Sequence, residues 1–203
     1  DEFSLENTQS RIRSNTEDLA KYDKPVLSIG GDHSISYPVI SALKEKHPDM
    51  ILIWLDAHLD LKEKVDNHIS HDVVIRKLIE DGFREEDIWV VGYTRVDVDE
   101  REFLETSDVR LFEYDELVDF KREFESVEHP AYLSVDIDVL KEELAPGTGY
   151  PDGRLDLKQT IDIIETVKPT HADLVEVAPS LDDGSTVKHA RELLKKLEKT
   201  LVK

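Results

Sequence analysis

Acidic residues and histidines recur in four short segments of the sequence, and each segment directly follows an apolar run. The segments are Gly30–Ser34, Asp56–Asp60, Asp136–Asp138 and Glu176–Pro179. Imidazole nitrogens and carboxylate oxygens are ligands that suit Mn²⁺, and the sequence has no cysteine that would favour a structural zinc site. Two histidines and four aspartates in these segments predict a metal centre, and they are His33, Asp56, His58, Asp60, Asp136 and Asp138.

The number of carboxylates in these segments suggests what the metal centre would do. Carboxylates held close together repel one another and raise each other's pKa unless cations are present. Two divalent ions about 3.5–4 Å apart would neutralise them, and a water between the ions would lose a proton near neutral pH and become a nucleophile. If the chain is still extended in these segments, Asp56, His58 and Asp60 can all point the same way, and Asp136 and Asp138 can share a direction.

Each segment has a simpler interpretation when it is considered alone. An Asp-x-Asp sequence is usually a turn or a solvated strand end, and the glycines before Asp32 usually form a turn that this aspartate caps. Single histidines elsewhere, such as His47, His129, His171 or His189, are expected to be surface or core residues. The metal-centre hypothesis therefore depends on finding all four segments in one chain, at strand ends that a parallel sheet brings to one edge.

The elements that would position these residues alternate between short apolar runs and amphipathic stretches. The predicted strands are Pro25–Ile29, Met50–Leu55, Ile88–Val91, Val109–Phe112, Ala131–Val135 and Asp173–Val177. The predicted helices are Tyr37–Lys46, Val73–Glu80, Glu100–Thr106, Leu117–Phe124, Leu157–Val167 and a last helix from about Ser185. The strands are mostly continuous apolar runs, as in strands buried on both faces of a parallel sheet. The sequence therefore predicts an α/β fold of three layers with a mostly parallel central sheet.

Length and charge narrow the classes of function. The chain has 203 residues, enough for one domain, and its net charge is −20. Such a charge repels phosphate backbones and anionic membrane surfaces, so neither nucleic acid nor a membrane is expected as a partner. No apolar run approaches the roughly 20 residues of a membrane-spanning helix, and no signal or transit peptide is recognisable. A cytoplasmic location is the simplest expectation.

The motif segments resemble those of the arginase/agmatinase family, the ureohydrolases. The resemblance lies in five segments, which are Gly30–Ser34, Asp56–Asp60, Ser134–Asp138, Ala145–Gly149 and Asp173–Pro179. The first three resemble the family's metal-binding motifs, and order and spacing match from about Pro25 to the C-terminus. The resemblance implies an arginase-type fold and one ureohydrolase domain over residues 1–203, with the N-terminal part of the family domain missing or shortened.

The resemblance implies two Mn²⁺ ions per chain, although the ligand types would also accept Co²⁺, Ni²⁺ or Zn²⁺. One ion would be held by His33, Asp56, Asp60 and Asp136, and the other by Asp56, His58, Asp136 and Asp138. In this arrangement Asp56 and Asp136 bridge the ions. A metal-bridging hydroxide would attack the guanidinium carbon of the substrate and produce urea and an amine.

Further residues acquire catalytic or binding roles from the resemblance. Asp60 would pass a proton to the leaving nitrogen, and Glu176 would pair with the planar guanidinium group. His71 matches the family's proton-shuttling histidine, since an imidazole exchanges protons near neutral pH; as a bare sequence feature it is also a histidine at a helix start. Thr148 is predicted to contact the substrate, and Asp32 to support the metal ligands from outside.

The substrate is expected to be a small cationic guanidino compound, and agmatine, which would give putrescine and urea, is favoured. Arginases carry a segment rich in Ser, Thr and Asn before the shuttle histidine, and the corresponding segment here does not show that pattern. Glu63 or Asp66 would suit the ammonium group of agmatine, whereas Lys62 or Lys64 would suit a carboxylate. A solvated loop surface explains all four as well.

The loops that form the substrate pocket depart from the family pattern at several positions. Asp72 follows the shuttle histidine where relatives have a small residue, Tyr150 stands where a threonine is common, and a glycine-rich segment is shortened to Pro151–Arg154. Arginase, formimidoylglutamase or another guanidino-acid hydrolase therefore remain alternatives, as do a non-catalytic metal-binding relative and a two-metal phosphohydrolase. A homo-oligomer, a trimer or hexamer, is expected from the resemblance.

Overall fold

Six apolar segments form one parallel β-sheet in the computed structural model, which describes residues 4–64 and 68–201. The strands are β1 (Leu27–Ile29), β2 (Ile51–Leu55), β3 (Ile88–Tyr93), β4 (Arg110–Glu113), β5 (Ala131–Asp136) and β6 (His171–Val175). Their order across the sheet is β1-β6-β5-β2-β3-β4, and every neighbouring pair is parallel. The strands that precede the four motif segments, β1, β6, β5 and β2, are therefore neighbours.

Seven helices cover the two faces of this sheet in the described part of the chain. They are α1 (Leu5–Ala20), α2 (Ser36–Lys46), α3 (Val74–Glu80), α4 (Arg101–Leu104), α5 (Leu117–Phe124), α6 (Leu157–Val167) and α7 (Ser185–Leu201). Apolar residues of α1 to α4 pack on one face, and those of α5, α6 and α7 pack on the other. The predicted three-layer α/β fold with a parallel central sheet is thereby confirmed.

Strand β2 shows why its sequence is apolar at every position. Ile51, Ile53 and Leu55 belong to the core beneath α5, α6 and α7, whereas Leu52 and Trp54 belong to the core beneath α1, α2 and α3. All five side chains are buried. A central strand that contacts helices on both faces has no position for a solvent-facing residue, and a continuous apolar run follows.

The structure corrects several predicted boundaries. Strand β1 begins at Leu27 rather than Pro25, and β6 ends at Val175, so that Glu176 lies in the following loop and not in the strand. Helix α1 was not predicted. Its first residue follows Ser4, whose side chain accepts a hydrogen bond from the Asn7 backbone, and among its buried residues are the polar Gln9 and Thr16, so it shows no clear apolar stripe.

The order of strands creates a crevice at one edge of the sheet. After β2 the chain adds β3 and β4 on one side, and it then returns to place β5 on the other side of β2. Ligands of open α/β sheets bind at such a reversal, beyond the carboxyl ends of the strands. Among the described residues, no helix is long and apolar enough to cross a membrane.

Candidate metal centre

The carboxyl ends of β1, β2, β5 and β6 enclose one cleft, and most of the predicted site residues line it. Those residues are His33, Asp56, His58, Asp60, His71, Asp136, Asp138 and Glu176. Thr148 is not among the lining residues; it is buried, and its hydroxyl has no hydrogen-bond partner in the described part of the chain. The structure thus brings together every predicted metal ligand, while the substrate-binding role of Thr148 stays a prediction.

The first group of ligand atoms surrounds the Nδ1 atom of His33. This nitrogen lies 3.1 Å from Oδ2 of Asp56, 3.1 Å from Oδ2 of Asp136 and 3.4 Å from Oδ2 of Asp60. Three residues each offer one ligand atom, and these atoms lie close enough together to hold a single metal ion; the residues are His33, Asp56 and Asp136. We call these three residues the His33 cluster.

The second group surrounds the Nδ1 atom of His58. This nitrogen lies 3.0 Å from Oδ2 of Asp138 and 3.4 Å from Oδ1 of Asp56. Asp56, His58 and Asp138 also have ligand atoms close enough to hold one ion, and we call them the His58 cluster. Asp56 is the residue common to both clusters, whereas Asp136, the second predicted bridging residue, belongs to the His33 cluster.

The backbone delivers these side chains by tight turns rather than by an extended chain. Asp60 has a φ of 52°, in the left-handed region, and its carbonyl accepts hydrogen bonds from the backbone of Ile75 and Arg76 at the start of α3. Asp136 caps a 3₁₀ turn and accepts a hydrogen bond from the Asp138 backbone at 2.8 Å. The chain is therefore not extended throughout these segments, and the turns make the side chains converge.

A buried hydrogen-bond chain fixes the ring of His33 from outside. Its Nε2 lies 2.8 Å from the hydroxyl of Ser134, and this hydroxyl donates to Asp173 at 2.7 Å. Asp173 is fully buried and accepts two further hydrogen bonds, from the hydroxyls of Ser36 and Tyr132, each at 2.6 Å. Since the Ser134 proton is used on Asp173, Ser134 must accept the Nε2 proton of His33, and a neutral imidazole then presents the Nδ1 lone pair to the carboxylates.

The pKa shifts of the buried residues at this site indicate that the site lacks positive charge. Burial raises the pKa of Asp60 and of Asp136 well above the ordinary value, and neighbouring carboxylates raise both pKa values further. Burial and the Asp56 carboxylate raise the pKa of Asp138 to about 7. Burial lowers the pKa of His33, but the carboxylates of Asp56 and Asp60 outweigh that effect and raise it to about 9. Without a cation, the imidazole would supply the missing charge by keeping a proton.

Two buried atoms test whether a metal fits this site. Nδ1 of His33 and Oδ2 of Asp56 are both inaccessible to solvent and make no hydrogen bond within the described residues, although they lie 3.1 Å apart. A nitrogen lone pair and a carboxylate oxygen at this distance need either a proton or a cation between them. The nitrogen and oxygen donors match the preference of Mn²⁺ and similar ions. The residues present therefore fit a divalent metal.

Glu176 and His71 both line the cleft, and they reach it from different segments of the chain. Glu176 has a φ of 63° and accepts a hydrogen bond from the His33 backbone at 2.6 Å, so the side chain is directed back over the cluster. Burial raises the pKa of Glu176. His71 begins a 3₁₀ turn before α3, and its ring lies 6.2 Å from the ring of Tyr150.

The rim of the cleft contains Lys62, which the sequence analysis considered as a substrate contact, and several charged residues to which that analysis gave no role. Lys62 pairs with Asp97 at 3.0 Å, and Arg95 pairs with Asp97 at 3.2 Å and with Asp152 at 2.7 Å. Glu100 is buried and accepts hydrogen bonds from the backbone of Leu61 and of Asp97. Single charged residues in loops form no recognisable spacing, and the only available signal was their position after β2, β3 and β5.

Comparisons with known proteins agree with this geometry. Residues 2–198 match the sequence model of the Arginase family. An agmatinase from Bacillus cereus is 33% identical over 87% of this chain and 65% of its own length. An agmatinase from Bacillus anthracis is 34% identical over 83% of this chain and 62% of its own length. The chain thus spans less than two thirds of the length of these relatives.

A solved structure shows the same architecture. The proclavaminate amidino hydrolase from Streptomyces clavuligerus superposes with a TM-score of 0.89 and 27% sequence identity, over 98% of this chain and 71% of that protein. Nearly the whole chain, and not the sheet alone, therefore follows the fold of that enzyme.

Proposed function

Because the chain belongs to the arginase family, we propose that it is a ureohydrolase, which hydrolyses a guanidino C–N bond at a centre of two Mn²⁺ ions. Agmatine is the substrate that we favour. The observation that carries the proposal is the convergence of imidazole nitrogens and carboxylate oxygens on two adjacent positions, one beside His33 and one beside His58, with Asp56 common to both.

In this proposal the His33 and His58 clusters, together with Asp60, hold the metals. When bound, two divalent cations would neutralise the carboxylates and lower the pKa of water toward neutrality, which provides the nucleophile. Hydrolysis adds water across the C–N bond, so one proton must reach the nitrogen that leaves as the amine. The carboxyl group of Asp60, whose Oδ2 lies 3.4 Å from Nδ1 of His33, would carry that proton.

Glu176 and His71, which both line the cleft, would act on the substrate. A carboxylate accepts two parallel hydrogen bonds from a guanidinium group, and Glu176 is held above the clusters by its hydrogen bond from the His33 backbone. This arrangement would place the guanidinium carbon over the metals. His71, on the wall before α3, would exchange protons between the cleft and solvent.

The charge on the rim supports an ammonium-ended substrate. Both basic residues that line the cleft are already paired, Lys62 with Asp97 and Arg95 with Asp97 and Asp152. Asp72 adds a further acidic group, so the acids outnumber the bases on this rim. A distal ammonium group, as in agmatine, would be attracted there, and a distal carboxylate would have to displace an existing ion pair.

Four residues were considered above as contacts for the end of the substrate that lies away from the guanidino group. Glu63 is exposed and does not line the cleft, and Lys64 pairs with Glu80 at 2.8 Å. Asp66 lies outside the described residues. Lys62 is therefore the one of the four whose described position is on the cleft wall, and a guanidino-acid substrate that recruits Lys62 is the alternative to agmatine.

The test is a metal-dependent assay of urea release by the full protein. The protein is stripped with chelator, reloaded with Mn²⁺ and given agmatine, arginine or a guanidino carboxylic acid in parallel. We expect urea from agmatine only after Mn²⁺ is restored, and little from the acids. Preference for a guanidino acid would change the substrate while preserving the chemistry. No urea from any guanidine, or formamide from formimidoylglutamate instead, would overturn the proposal.

A further inference from the structure

The two histidines of the metal clusters are anchored differently at their outer nitrogens. Both turn Nδ1 toward the carboxylates and leave Nε2 to bond outside the cluster. For His33 the outer partner is the hydroxyl of Ser134, inside the core. For His58 it is the carboxylate of Asp152, at 3.4 Å, and this side chain is 37% exposed. A carboxylate can only accept, so Nε2 of His58 carries the proton and Nδ1 is free to bind metal.

Asp152 is itself held in place by a cation. Its Oδ2 atom, which accepts from His58, lies 2.7 Å from Nη1 of Arg95. Arg95 follows β3 and is fixed on its other side by Asp97 at 3.2 Å. The position of the Asp152 carboxylate is therefore determined by a residue from a different strand end, and its charge is partly compensated before it contacts His58.

The backbone next to Asp152 is packed tightly against the His58 cluster. A Cβ atom on Gly153 would lie 2.1 Å from the carbonyl oxygen of Asp138, so the loop can approach this closely because the residue is glycine. Gly153 and Lys141 form a parallel bridge, and Leu155 donates a hydrogen bond to the Val139 carbonyl at 3.0 Å. These contacts hold the loop that carries Asp152 beside His58.

We propose that Asp152, clamped by Arg95, is a positioning residue that orients His58 and thereby sets the metal affinity of the His58 cluster, but not that of the His33 cluster. The proposal rests on the two-metal site of the proposed function. It predicts two unequal metal sites, because one outer anchor is buried and the other is a partly exposed side chain. Carboxylate partners of this kind fix the ring orientation and raise the basicity of a ligating histidine.

The test is Mn²⁺ titration of the metal-free protein, which needs no turnover. In Asp152→Ala we expect one of two Mn²⁺ sites to weaken about 10- to 100-fold while the other is unchanged. Asp152→Asn, which retains an acceptor but not the charge, should weaken the same site less. Arg95→Ala should also affect that site alone. Asp119→Asn is the matched control, since Asp119 is a half-exposed aspartate paired with Arg122 away from the cleft.

Double variants identify which site has weakened. If Asp152 acts through His58, adding Asp152→Ala to His58→Ala should change metal affinity no further, whereas adding it to His33→Ala should lower the affinity again. Equal weakening of both sites, or unchanged affinity in a folded Asp152→Ala protein, would overturn the inference. Failure of the wild type to bind two Mn²⁺ ions would instead count against the proposed function, so the two failures are distinguishable.

Discussion

The imidazole of His33 lies flat against the indole of Trp54, with ring centroids 3.8 Å apart and ring planes 8° from parallel. Trp54 is fully buried in β2 and packs in the core beneath α1, α2 and α3. The same histidine bonds through Nε2 to Ser134 on β5. The metal-facing ring is thus fixed by two neighbouring central strands, and its orientation depends on core packing.

Replacement of Trp54 by alanine should lower the free energy of unfolding by about 3–5 kcal/mol, because a large cavity opens beside His33. Trp54→Phe retains an aromatic face and should cost less. Denaturant unfolding of the metal-free proteins measures this difference. We also expect Mn²⁺ to bind the His33 cluster more weakly in Trp54→Ala than in Trp54→Phe. An alanine variant within about 1 kcal/mol of wild type would show that the stacking is not structural.

Asp173 should be essential for stability although it contacts no metal position. It accepts hydrogen bonds from three buried hydroxyls, those of Ser36, Tyr132 and Ser134. Asp173→Ala leaves all three without an acceptor and should cost about 3 kcal/mol or more. Tyr132→Phe removes one donor only and should cost about 1 kcal/mol. Thermal and denaturant unfolding compare the variants, and equal losses would contradict this account.

The sequence predicted the layers of the fold and the membership of the cleft because both arise from local patterns. Continuous apolar runs such as Ile51–Leu55 are required wherever a strand is covered on both faces. The polar residues that follow such strands must meet at one edge if the strands are parallel. The sequence pattern alone therefore assigns to one site the residues Asp56, Asp136 and Glu176.

Other features depend on contacts that no local pattern encodes. Helix α1 buries polar residues such as Gln9, which donates to the Ile69 carbonyl, and so it lacks an amphipathic signature. Asp60 reaches the cluster through a left-handed turn that the carbonyl hydrogen bonds to α3 support. Asp152 is a single acid in a turn, and its relation to His58, 94 positions away, appears only when β2 and β5 lie side by side.

Glu176→Gln and Asp136→Ala should separate substrate binding from metal binding. Glutamine retains an acceptor for the His33 backbone but lacks the charge that pairs with a guanidinium, so metal content should persist while kcat/KM falls about 10- to 100-fold or more. Asp136→Ala removes a carboxylate that faces His33 and should lose both metal and turnover. Metal analysis and urea assays on the same preparations show whether each variant has lost metal, turnover or both. Loss of metal from Glu176→Gln would exclude the proposed role of Glu176.

Gly153→Ala should disturb the site although it adds a single methyl group. That methyl would collide with the backbone carbonyls of Asp138 and Leu140. These carbonyls cannot move without shifting the His58 cluster, to which Asp138 belongs. We expect a loss of stability of about 1–3 kcal/mol and weaker Mn²⁺ binding at the His58 cluster. Gly149→Ala is the control in the same loop, because its Cβ would meet no atom within 4 Å. Similar behaviour of the two variants would show that the close approach at Gly153 is unimportant.

The stability of the protein should decrease between neutral and mildly acidic pH because of His171. This residue is buried at the start of β6, and its Nδ1 accepts a hydrogen bond from the Val26 backbone at 3.1 Å, which requires a neutral ring whose proton is on Nε2. Burial lowers the pKa of His171 to about 4, and the nearby His47 and Lys46 lower it as well. An unfolded histidine titrates near 6.5, so the unfolded state binds more protons between these two pKa values.

The stabilising contribution of neutral His171 is therefore complete above about pH 6.5 and is lost progressively as the pH falls toward 4. Between pH 7.5 and 5.5, wild type should lose about 1 kcal/mol more than His171→Asn, whose amide oxygen can still accept from Val26. His129→Asn, at an exposed histidine, should retain the pH dependence of wild type. Urea unfolding at both pH values, with chelator present throughout so that metal binding does not contribute, measures the difference. Identical pH dependence in wild type and His171→Asn would mean that His171 is protonated in the folded protein, contrary to the hydrogen bond at Nδ1.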